Sequence, residues 1–232
     1  KNNFSNIMGK LRKDRNVIIA EPEFIYTKQS FVLPDSGTDP GFSSQWYHNE
    51  LGISNTWKFL ADRGVNPGGS SDVVVAVIDT GVDYNHPDLA SNMWVNPSEI
   101  KNNRDTDRNG FVDDIHGVNL INNNGNPMDT DGHGTHVAGI IASAANNGIG
   151  GVGVAFNVKL MAIKAADDEG NFSGTDIARA IFYAIENGAD VINMSFGGEG
   201  FSEFLTDVLQ TAYSSSILVA AAGNSSKPNE DI

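Results

Sequence analysis

The chain has 232 residues and no cysteine, and its 29 Asp and Glu residues against 15 Lys and Arg give a net charge of −14. The lack of cysteine excludes disulfides and thiol chemistry. The acidic balance argues against a nucleic-acid partner, because phosphate binding needs clustered Lys and Arg. No apolar run approaches the roughly 18 residues of a membrane span. We therefore predict a globular protein with no nucleic-acid partner and no membrane span, whose excess carboxylates suit solubility or bound cations.

The first thirty residues differ from the rest of the chain. They concentrate basic side chains and contain a short apolar run at residues 17–20 that predicts a strand. The stretch LPDSGTDPG at residues 33–41 is dense in Pro, Gly and Asp, as linkers are. We therefore expect a domain boundary between residues 30 and 45, which divides the chain into residues 1–30 and 31–232.

Beyond the linker, apolar runs alternate with helical patterns. Residues 72–79 are β-branched and apolar on both faces, which is typical of a central parallel strand. Further strands are predicted at 158–165, 190–196 and 217–224, with helices between them at 136–145, 175–189 and 202–215. Strands separated by such helices indicate βαβ units. The predicted fold class is therefore α/β, a doubly wound, mostly parallel sheet with helices on both faces.

Three of the predicted strands end in polar residues, namely Asp79, Ser195 and Asn224. In open parallel sheets, ligands bind beyond the carboxyl ends of the strands. A carboxylate that ends a buried strand must be paired or hydrogen-bonded, although Asp79 by itself could equally cap a turn. We therefore expect these strand ends to deliver polar groups to one edge of the sheet.

The stretch DGHGTHVAG, residues 131–139, places His133 at the start of a predicted helix. A helix N-terminus disfavours the imidazolium, so we expect a neutral ring that can accept a proton. A carboxylate that orients a histidine, which then deprotonates a hydroxyl, is the logic of nucleophilic acyl transfer. Asp79 and His133 are therefore candidate partners, whereas His136, nearly one turn further on, is expected to be structural.

Five stretches of the sequence resemble successive blocks of the subtilisin-like serine peptidases, or subtilases. They are VVVAVIDTGVDYNHPDL, DGHGTHVAGIIA, GVGVAFNVKLMAIKA, GADVINMSFGG and ILVAAAGN, and the similarity runs from about Gln45 to about Ser226. The order Asp then His is also that of the subtilisin triad. The resemblance implies a subtilisin-like fold and a serine endopeptidase that cleaves a polypeptide substrate through an acyl-enzyme. It also implies secretion or another extracytoplasmic location.

The resemblance assigns roles to particular residues. It implies that Asp79 orients His133, that His133 is the general base and acid, and that Asn224 donates to the oxyanion. It further implies that substrate binds as an added strand. The implied substrate-binding residues are Gly170, Ser195, Phe196, Gly197, Ala221, Ala222 and Gly223.

The family's nucleophile lies in a Gly-Thr-Ser-Met-Ala block downstream of the oxyanion asparagine, and this block is absent from the 232 residues. We therefore expect the chain to be the N-terminal portion of a C-terminally incomplete catalytic domain, inactive by itself. Its serine would be supplied by sequence outside the chain, for example by a separate C-terminal chain. The alternative is a catalytically dead pseudoprotease that acts as a binding or regulatory module.

The N-terminal segment bears a second resemblance. NVIIAEPEFIYTK, residues 16–28, resembles the end of the inhibitory pro-segment of these enzymes, and residues 39–57 resemble the start of the mature domain. Residues 1–30 are thus expected to be the remnant of an α+β pro-segment that inhibits its own enzyme in a zymogen. Cleavage is expected between Tyr26 and Ser30. The alternative is an extension that merely adds a strand.

The stretch DTDRNGFVDD, residues 105–114, predicts a calcium loop. Oxygen-bearing residues stand at relative positions one, three and five, Gly at six and Asp at nine, as in the front of an EF-hand. His116 replaces the Glu expected at position twelve, and a simple Asn-Gly turn is the alternative. The candidate ligands are Asp105, Asp107, Asn109, Phe111, Asp113 and Asp114.

A second calcium site is implied by the family resemblance alone, which gives one or two ions in total. Its expected ligands are the Asp88 carboxylate, the Asn147 side chain, the carbonyl oxygens of Ala145, Ile149 and Gly151, and either Asp39 or Gln45.

Overall fold

The computed structural model describes residues 2–15, 17, 31–34, 38–198 and 201–224. The chain forms two compact units, Lys1–Ser30 and Phe31–Ile232. In the first unit, helix α1 spans Asn2–Leu11 and has Lys10 in its last turn, where a cation complements the helix dipole. Most of the strand predicted at 17–20, and the expected cleavage segment, lie outside the described residues. The assignment of this unit to a pro-segment stays a prediction.

The second unit is built on a five-stranded parallel sheet. The strands are β1 (Val74–Asp79), β2 (Gly117–Asn119), β3 (Lys159–Lys164), β4 (Val191–Met194) and β5 (Ile217–Ala220). Their order is β2-β3-β1-β4-β5, so β1 lies in the middle of the sheet. The residues Ala76, Val77 and Ile78 of β1 are fully buried, as its continuous apolar run predicts.

Three long helices connect these strands. They are α4 (His133–Ala142), α5 (Gly174–Glu186) and α6 (Glu203–Ala212), and two shorter helices, α2 (Tyr47–Glu50) and α3 (Ile53–Ala61), precede the sheet. Helix α4 begins at His133, as predicted for the DGHGTHVAG stretch, and ends at Ala142 rather than at the predicted 145, because Ser143 takes an extended conformation. Within the described ranges, no helix has both the length and the apolar character needed to cross a membrane.

Side-chain caps explain where α5 and α6 begin. The hydroxyl of Ser173 accepts the N–H of Asp176, and that of Ser202 accepts the N–H of Leu205, as N-cap serines do. After α5, Gly188 takes a left-handed conformation with φ +77, which agrees with its predicted role in stopping this helix.

The core lies on both faces of the sheet. Alternate residues of β1 point to opposite sides: Ala76 and Ile78 join an apolar cluster with α5 and α6, whereas Val75 and Val77 join one with α4. This alternation is the period-two geometry of a strand. The predicted fold class, a doubly wound α/β sheet with helices on both faces, is confirmed.

Candidate active site

The carboxyl ends of β1, β4 and β5 lie side by side. Ile78 pairs with Met194, and Met194 pairs with Ala220. Asp79 ends β1, Ser195 follows β4, and the chain after β5 leads to Asn224. Asp79 and Ser195 therefore stand at the same edge of the sheet, as parallel pairing requires, and the chain that leads to Asn224 leaves β5 at that edge.

Asp79 and His133 are in direct contact at this edge. Nδ1 of His133 lies 2.7 Å from Oδ1 of Asp79, and the same oxygen accepts the backbone N–H of Thr80 at 2.7 Å. Among the described residues, Oδ2 of Asp79 has no hydrogen-bond partner. Since an ionised Asp79 only accepts, the proton of this contact belongs to Nδ1, and Nε2 of His133 is the atom free to accept a proton.

Glycines bring the start of α4 close to the end of β1. Gly132, before His133, has φ +108. The N–H of Gly134 donates to Oγ1 of Thr80 at 2.9 Å, and a Cβ at Gly134 would stand 2.1 Å from the carbonyl oxygen of Gly81 and 2.9 Å from Cβ of Asp79. Only glycine permits this approach of the two backbones.

The contact with Asp79 raises the pKa of His133 above its ordinary value of 6.5; the hydrogen bond contributes most, burial opposes it, and the charges of Asp79, Asp131 and Asp129 add to the rise. The sequence-based expectation of a neutral ring considered only the helix terminus, which would lower the pKa of His133. The carboxylates around the ring raise that pKa instead. The side chain of Asp79 is 0% exposed and that of His133 is 52% exposed. The buried carboxylate therefore orients the imidazole, while the ring itself is open to solvent. Such a ring can exchange a proton with a group in a cleft.

The two predicted edges of the substrate cleft contact one another. The ring of Phe196 stacks on that of Phe172, with centroids 4.2 Å apart and planes inclined by 22°. Phe172 follows the exposed turn that contains Gly170, where φ is +81. The hydroxyl of Ser195 accepts a hydrogen bond from Nδ2 of Asn193 at 2.9 Å, which ties it to its own strand.

The segment that follows β5 is largely open to solvent. The N–H of Ala221 donates to the carbonyl oxygen of Met194 at 3.1 Å, which extends the pairing one residue past β5. Ala222, Gly223 and Asn224 are exposed, and so is Gly197. These residues flank the sheet edge, and their roles in substrate and oxyanion binding stay predictions.

His136 is exposed on α4 and lines a cavity that is separate from the Asp79–His133 pair. This cavity has a volume of about 950 Å³ and is also lined by Trp46, Asp83 and Asp131, whereas neither Asp79 nor the histidine that contacts it contributes to the lining. The interpretation of His136 as a structural neighbour remains compatible with this placement.

The acidic loop brings carboxylates together. Single oxygens of Glu99, Asp105 and Asp107 all lie within 4.8 Å of one another. Asp105 and Asp107 both accept the backbone N–H of Asn109, and Asp105 accepts that of Gly110. Glu99 is not a sequence candidate, because it precedes the motif and no spacing rule of a calcium loop includes it.

Asp114 is buried beside this group. Its Oδ2 accepts the hydroxyl of Tyr183 at 2.5 Å and Nδ2 of Asn109 at 2.8 Å, and the same Nδ2 donates to Asp107. Among the described residues, Oδ1 of Asp114 has no partner, although the residue is 0% exposed. Burial raises the pKa of Asp114, and burial together with the Asp114 hydrogen bond raises that of Tyr183. A hard cation would satisfy such an oxygen.

Two of the sequence candidates in this loop make other contacts. The carboxylate of Asp113 accepts the backbone N–H groups of Asn102 and Asn103. The ring of Phe111 packs edge-on against Tyr183, with centroids 5.8 Å apart. The Asp113 side chain therefore supports the preceding turn and does not join the Glu99 group.

The second predicted set of ligands is assembled around Asp88. Oδ1 of this residue accepts Nδ2 of Asn147 at 2.6 Å, and Oδ2 accepts the N–H of Gly151 at 3.2 Å. Oδ1 of Asn147 accepts the N–H of Ile149 at 3.0 Å. Gly150 packs so closely that a Cβ there would stand 2.0 Å from Oδ2 of Asp88. The Asp88 carboxylate and the Asn147 side chain thus meet at this loop, and oxygen atoms of these two types are ligands that calcium prefers.

The remaining members of this set brace the same loop. Oδ2 of Asp39, which is 0% exposed, accepts the N–H of Asn146 at 2.8 Å. Oε1 of Gln45 accepts the N–H of Val152 at 2.8 Å. Ala145 packs against the small apolar cluster that contains Val152. Segments distant in sequence therefore converge on one loop.

Comparisons with known proteins agree with this architecture. Residues 70–231 match the profile of the Subtilase family. The chain is 43% identical over 157 residues to Subtilisin-like protease 1 of Plasmodium falciparum, covering 66% of this chain and 23% of that protein. It is 33% identical over 187 residues to thermitase of Thermoactinomyces vulgaris, covering 80% and 57%. It is 34% identical over 227 residues to the halolysin-like extracellular serine protease Nep of Natrialba magadii, covering 95% and 38%.

The doubly wound parallel sheet, with an Asp–His pair at its carboxyl edge, places the chain in the α/β class. More narrowly, the chain belongs to the subtilase family, and that part of the sequence-based interpretation is confirmed. The chain spans about a quarter of the length of the Plasmodium relative and less than three fifths of the other two.

Proposed function

We propose that the whole protein is a serine endopeptidase of the subtilisin type, which hydrolyses peptide bonds through an acyl-enzyme. The observation that carries this proposal is the 2.7 Å contact between the buried Asp79 and the half-exposed His133. Asp79 holds the ring with its proton on Nδ1, so that Nε2 can accept the proton of a serine hydroxyl as the hydroxyl attacks the scissile carbonyl.

The later steps use the same groups. The side-chain amide of Asn224 donates to the oxyanion of the tetrahedral intermediate; in subtilisin, loss of one such donor costs roughly 10²–10³ in turnover. His133 then gives its proton to the leaving amine, which breaks the peptide bond and leaves the acyl-enzyme. Water, deprotonated by His133, hydrolyses the acyl-enzyme and releases the serine.

The nucleophile is assigned to sequence outside residues 1–232, since the Gly-Thr-Ser-Met-Ala block does not occur within them. Either a later part of the same polypeptide or a separate chain would supply it. Residues 1–232 by themselves are then inactive, and the protein that includes the serine is the enzyme.

A polypeptide substrate is proposed to lie extended at the sheet edge, as an added strand. Residues 195–197 form one side, the Gly170 turn forms the other, and residues 221–223 form a wall for the side chain before the cleaved bond. Two observations support this arrangement: the stack of Phe172 on Phe196 joins the two sides, and Gly170 and Gly197 are exposed.

Residues 1–30 are proposed to be the C-terminal part of an inhibitory pro-segment, so that the precursor is a zymogen. The relative Nep is named an extracellular protease, and we extend a secreted or extracytoplasmic location to this protein on that ground.

Calcium is the proposed ion at two places. In the acidic loop, the proposed ligands are Glu99, Asp105, Asp107 and Asp114, with Asp113 shaping the adjacent turn. In the second set, Asp88, Asn147 and the carbonyls of the 145–151 loop would bind, with Asp39 and Gln45 bracing the loop. A bound ion would neutralise the clustered carboxylates and cross-link the loops.

A fluorophosphonate probe for active-site serines tests the proposal on the full-length natural protein. We expect covalent labelling of the mature protein, cleavage of a peptide substrate, loss of both in His133→Ala, and no labelling of residues 1–232 alone. Absence of labelling in a folded, mature, full-length protein would contradict the peptidase and favour the pseudoprotease.

A further inference from the structure

Asp129 lies four residues before His133 and has no role in the chemistry above. Its carboxylate is partly buried and accepts five hydrogen bonds. Oδ1 accepts the Thr80 hydroxyl and the backbone N–H groups of Asp131 and Gly132, each at 3.0 Å, and Oδ2 accepts the N–H of Thr135 at 2.9 Å and its hydroxyl at 2.6 Å.

These donors belong to the two elements that carry the Asp–His pair. Thr80 directly follows Asp79 at the end of β1, and Thr135 stands in the first turn of α4, two residues after His133. One carboxylate therefore joins the end of the strand to the start of the helix. Oγ1 of Thr80 also accepts the N–H of Gly134 at 2.9 Å. The residues on both sides of His133 are therefore held, Gly132 by Asp129 and Gly134 by Thr80.

A buried lysine secures the same junction from β3. Lys164 is paired with Asp79 in the register of the sheet and is 4% exposed. Its Nζ donates to the carbonyl oxygen of Thr80 at 2.8 Å and contacts Oγ1 of Thr130, next to Asp129, at 3.4 Å. Thr80 is thus held by a cation through its carbonyl and by an anion through its hydroxyl.

We propose that Asp129 is a positioning residue that sets the separation and orientation of Asp79 and His133. This role rests on the proposed function, because it concerns the geometry of the general base. The charged groups around this carboxylate are those of Asp79, Asp131 and His133, together with Lys164 across Thr80.

The hydrogen-bond chemistry requires a carboxylate at this position. Both oxygens receive only donors, so an amide must face at least one backbone N–H with its own NH₂, whichever way it is turned. Burial acts to raise the pKa of Asp129, but the hydrogen bonds from Thr135, Gly132 and Asp131 outweigh it and hold the pKa below its usual range. The ionised form is therefore the one that holds the junction together.

The test compares Asp129→Asn with Asp190→Asn in the full-length protein. Asp190 is a matched control, since its carboxylate also accepts a backbone N–H of β1, from Val74 at 2.8 Å, but at the opposite end of the strand. The readouts are kcat and KM on a peptide substrate, and the NMR signal and titration of the His133 imidazole.

We expect Asp129→Asn to lower kcat by roughly 10²-fold with little change in KM, the scale of a misplaced catalytic group. The signal of the proton between His133 and Asp79 should shift or broaden, and the pKa of His133 should fall. Asp190→Asn should leave all three unchanged. Unchanged kcat and unchanged imidazole signal in Asp129→Asn would overturn the proposal.

A second pair of variants covers the case in which Asp129→Asn does not fold. Thr135→Val removes two hydrogen bonds, the one its hydroxyl donates to Asp129 and the one it accepts from the N–H of Asp83, and Thr135→Ser retains both. We expect kcat to fall in the valine variant and to recover in the serine variant; equal kcat in both would contradict the proposal. If the full-length protein is no peptidase, altered imidazole signals in Asp129→Asn still support the positioning role.

Discussion

Nδ1 of His133 lies 2.7 Å from Oδ1 of Asp79, although 54 positions separate the two residues in sequence. The carboxylate is fully buried and the imidazole is half exposed. Burial strengthens the contact, because water does not compete for the carboxylate. Exposure leaves the second ring nitrogen open to a reacting group, so the pair combines a fixed orientation with access.

Replacing Asp79 by Asn should nearly abolish turnover in the full-length protein. The amide preserves the shape but no longer stabilises the imidazolium or selects the tautomer, and the same change in a chymotrypsin-type triad lowers kcat about 10⁴-fold. The measurement is kcat on a peptide substrate, with KM expected to change little. Thermal unfolding of the variant provides the folding control, and a folded variant with full kcat would contradict the assigned role.

The acid limb of the activity profile should report His133. Because its pKa is raised above 6.5, kcat/KM should rise with pH through a midpoint above that value as the ring loses its proton. Asp131→Asn removes one of the charges that raise the pKa, so the midpoint should move down. The measurement is kcat/KM against pH for both proteins; an upward movement in the variant would refute this electrostatic explanation.

The same pKa makes a prediction about stability. A group whose pKa is higher in the folded than in the unfolded state stabilises the protein below the unfolded value and loses that effect as pH rises through the folded value. The melting temperature of the wild type relative to His133→Gln should therefore be highest below pH 6.5 and decline above it. Parallel melting curves of the two proteins across this range would contradict the shift.

Two glycines of α4 should respond oppositely to alanine. In Gly134→Ala the new Cβ would stand 2.1 Å from the carbonyl oxygen of Gly81, so we expect a loss of about 1–3 kcal/mol in the free energy of unfolding and a lower kcat. In Gly139→Ala no atom outside the neighbouring residues and the helix's own backbone lies within 4 Å of the new Cβ, and helix propensity predicts a gain of roughly 0.5–1 kcal/mol. Urea unfolding of both variants measures the difference, and similar effects would argue against the close approach.

The proposed calcium sites predict that removal of the ion destabilises the protein. Chelation should lower the melting temperature, since an ion at about 100 times its Kd contributes roughly 2.7 kcal/mol. Asp107→Asn should weaken calcium binding in a titration, because it removes one of the clustered carboxylates. Asp72→Asn, at an exposed aspartate elsewhere, is the control. An equal calcium response in the two variants would exclude Asp107 as a ligand.

Periodicity and composition were sufficient to predict the central part of the fold. The apolar run that became β1 and the helical patterns that became α5 and α6 are local signals, strong over six to thirteen residues. Strand β2 was not predicted, because it has only three residues, Gly117–Asn119. A strand of three residues is too short to show an alternation of apolar and polar side chains.

Local spacing likewise predicted only part of the candidate site. The motif around His133 and the strand end at Asp79 were identified from sequence, and so were the motif residues of the acidic loop. The direction of the His133 pKa was not, because its largest cause is the hydrogen bond with Asp79, which is 54 residues away in sequence.

The sequence by itself therefore determined the fold class, the family and the two residues of the Asp–His pair, because the strand, helix and motif patterns behind them are each local in sequence. The tertiary structure decided which side chains from other parts of the chain contact those segments. It placed Glu99 beside the acidic loop and Asp129 between β1 and α4, contacts that no spacing rule encodes. Glu99 accepts the backbone N–H of Thr106, and Asp129 accepts the Thr80 hydroxyl from a position 49 residues away, so each contact depends on how the folded backbone brings donor and acceptor together.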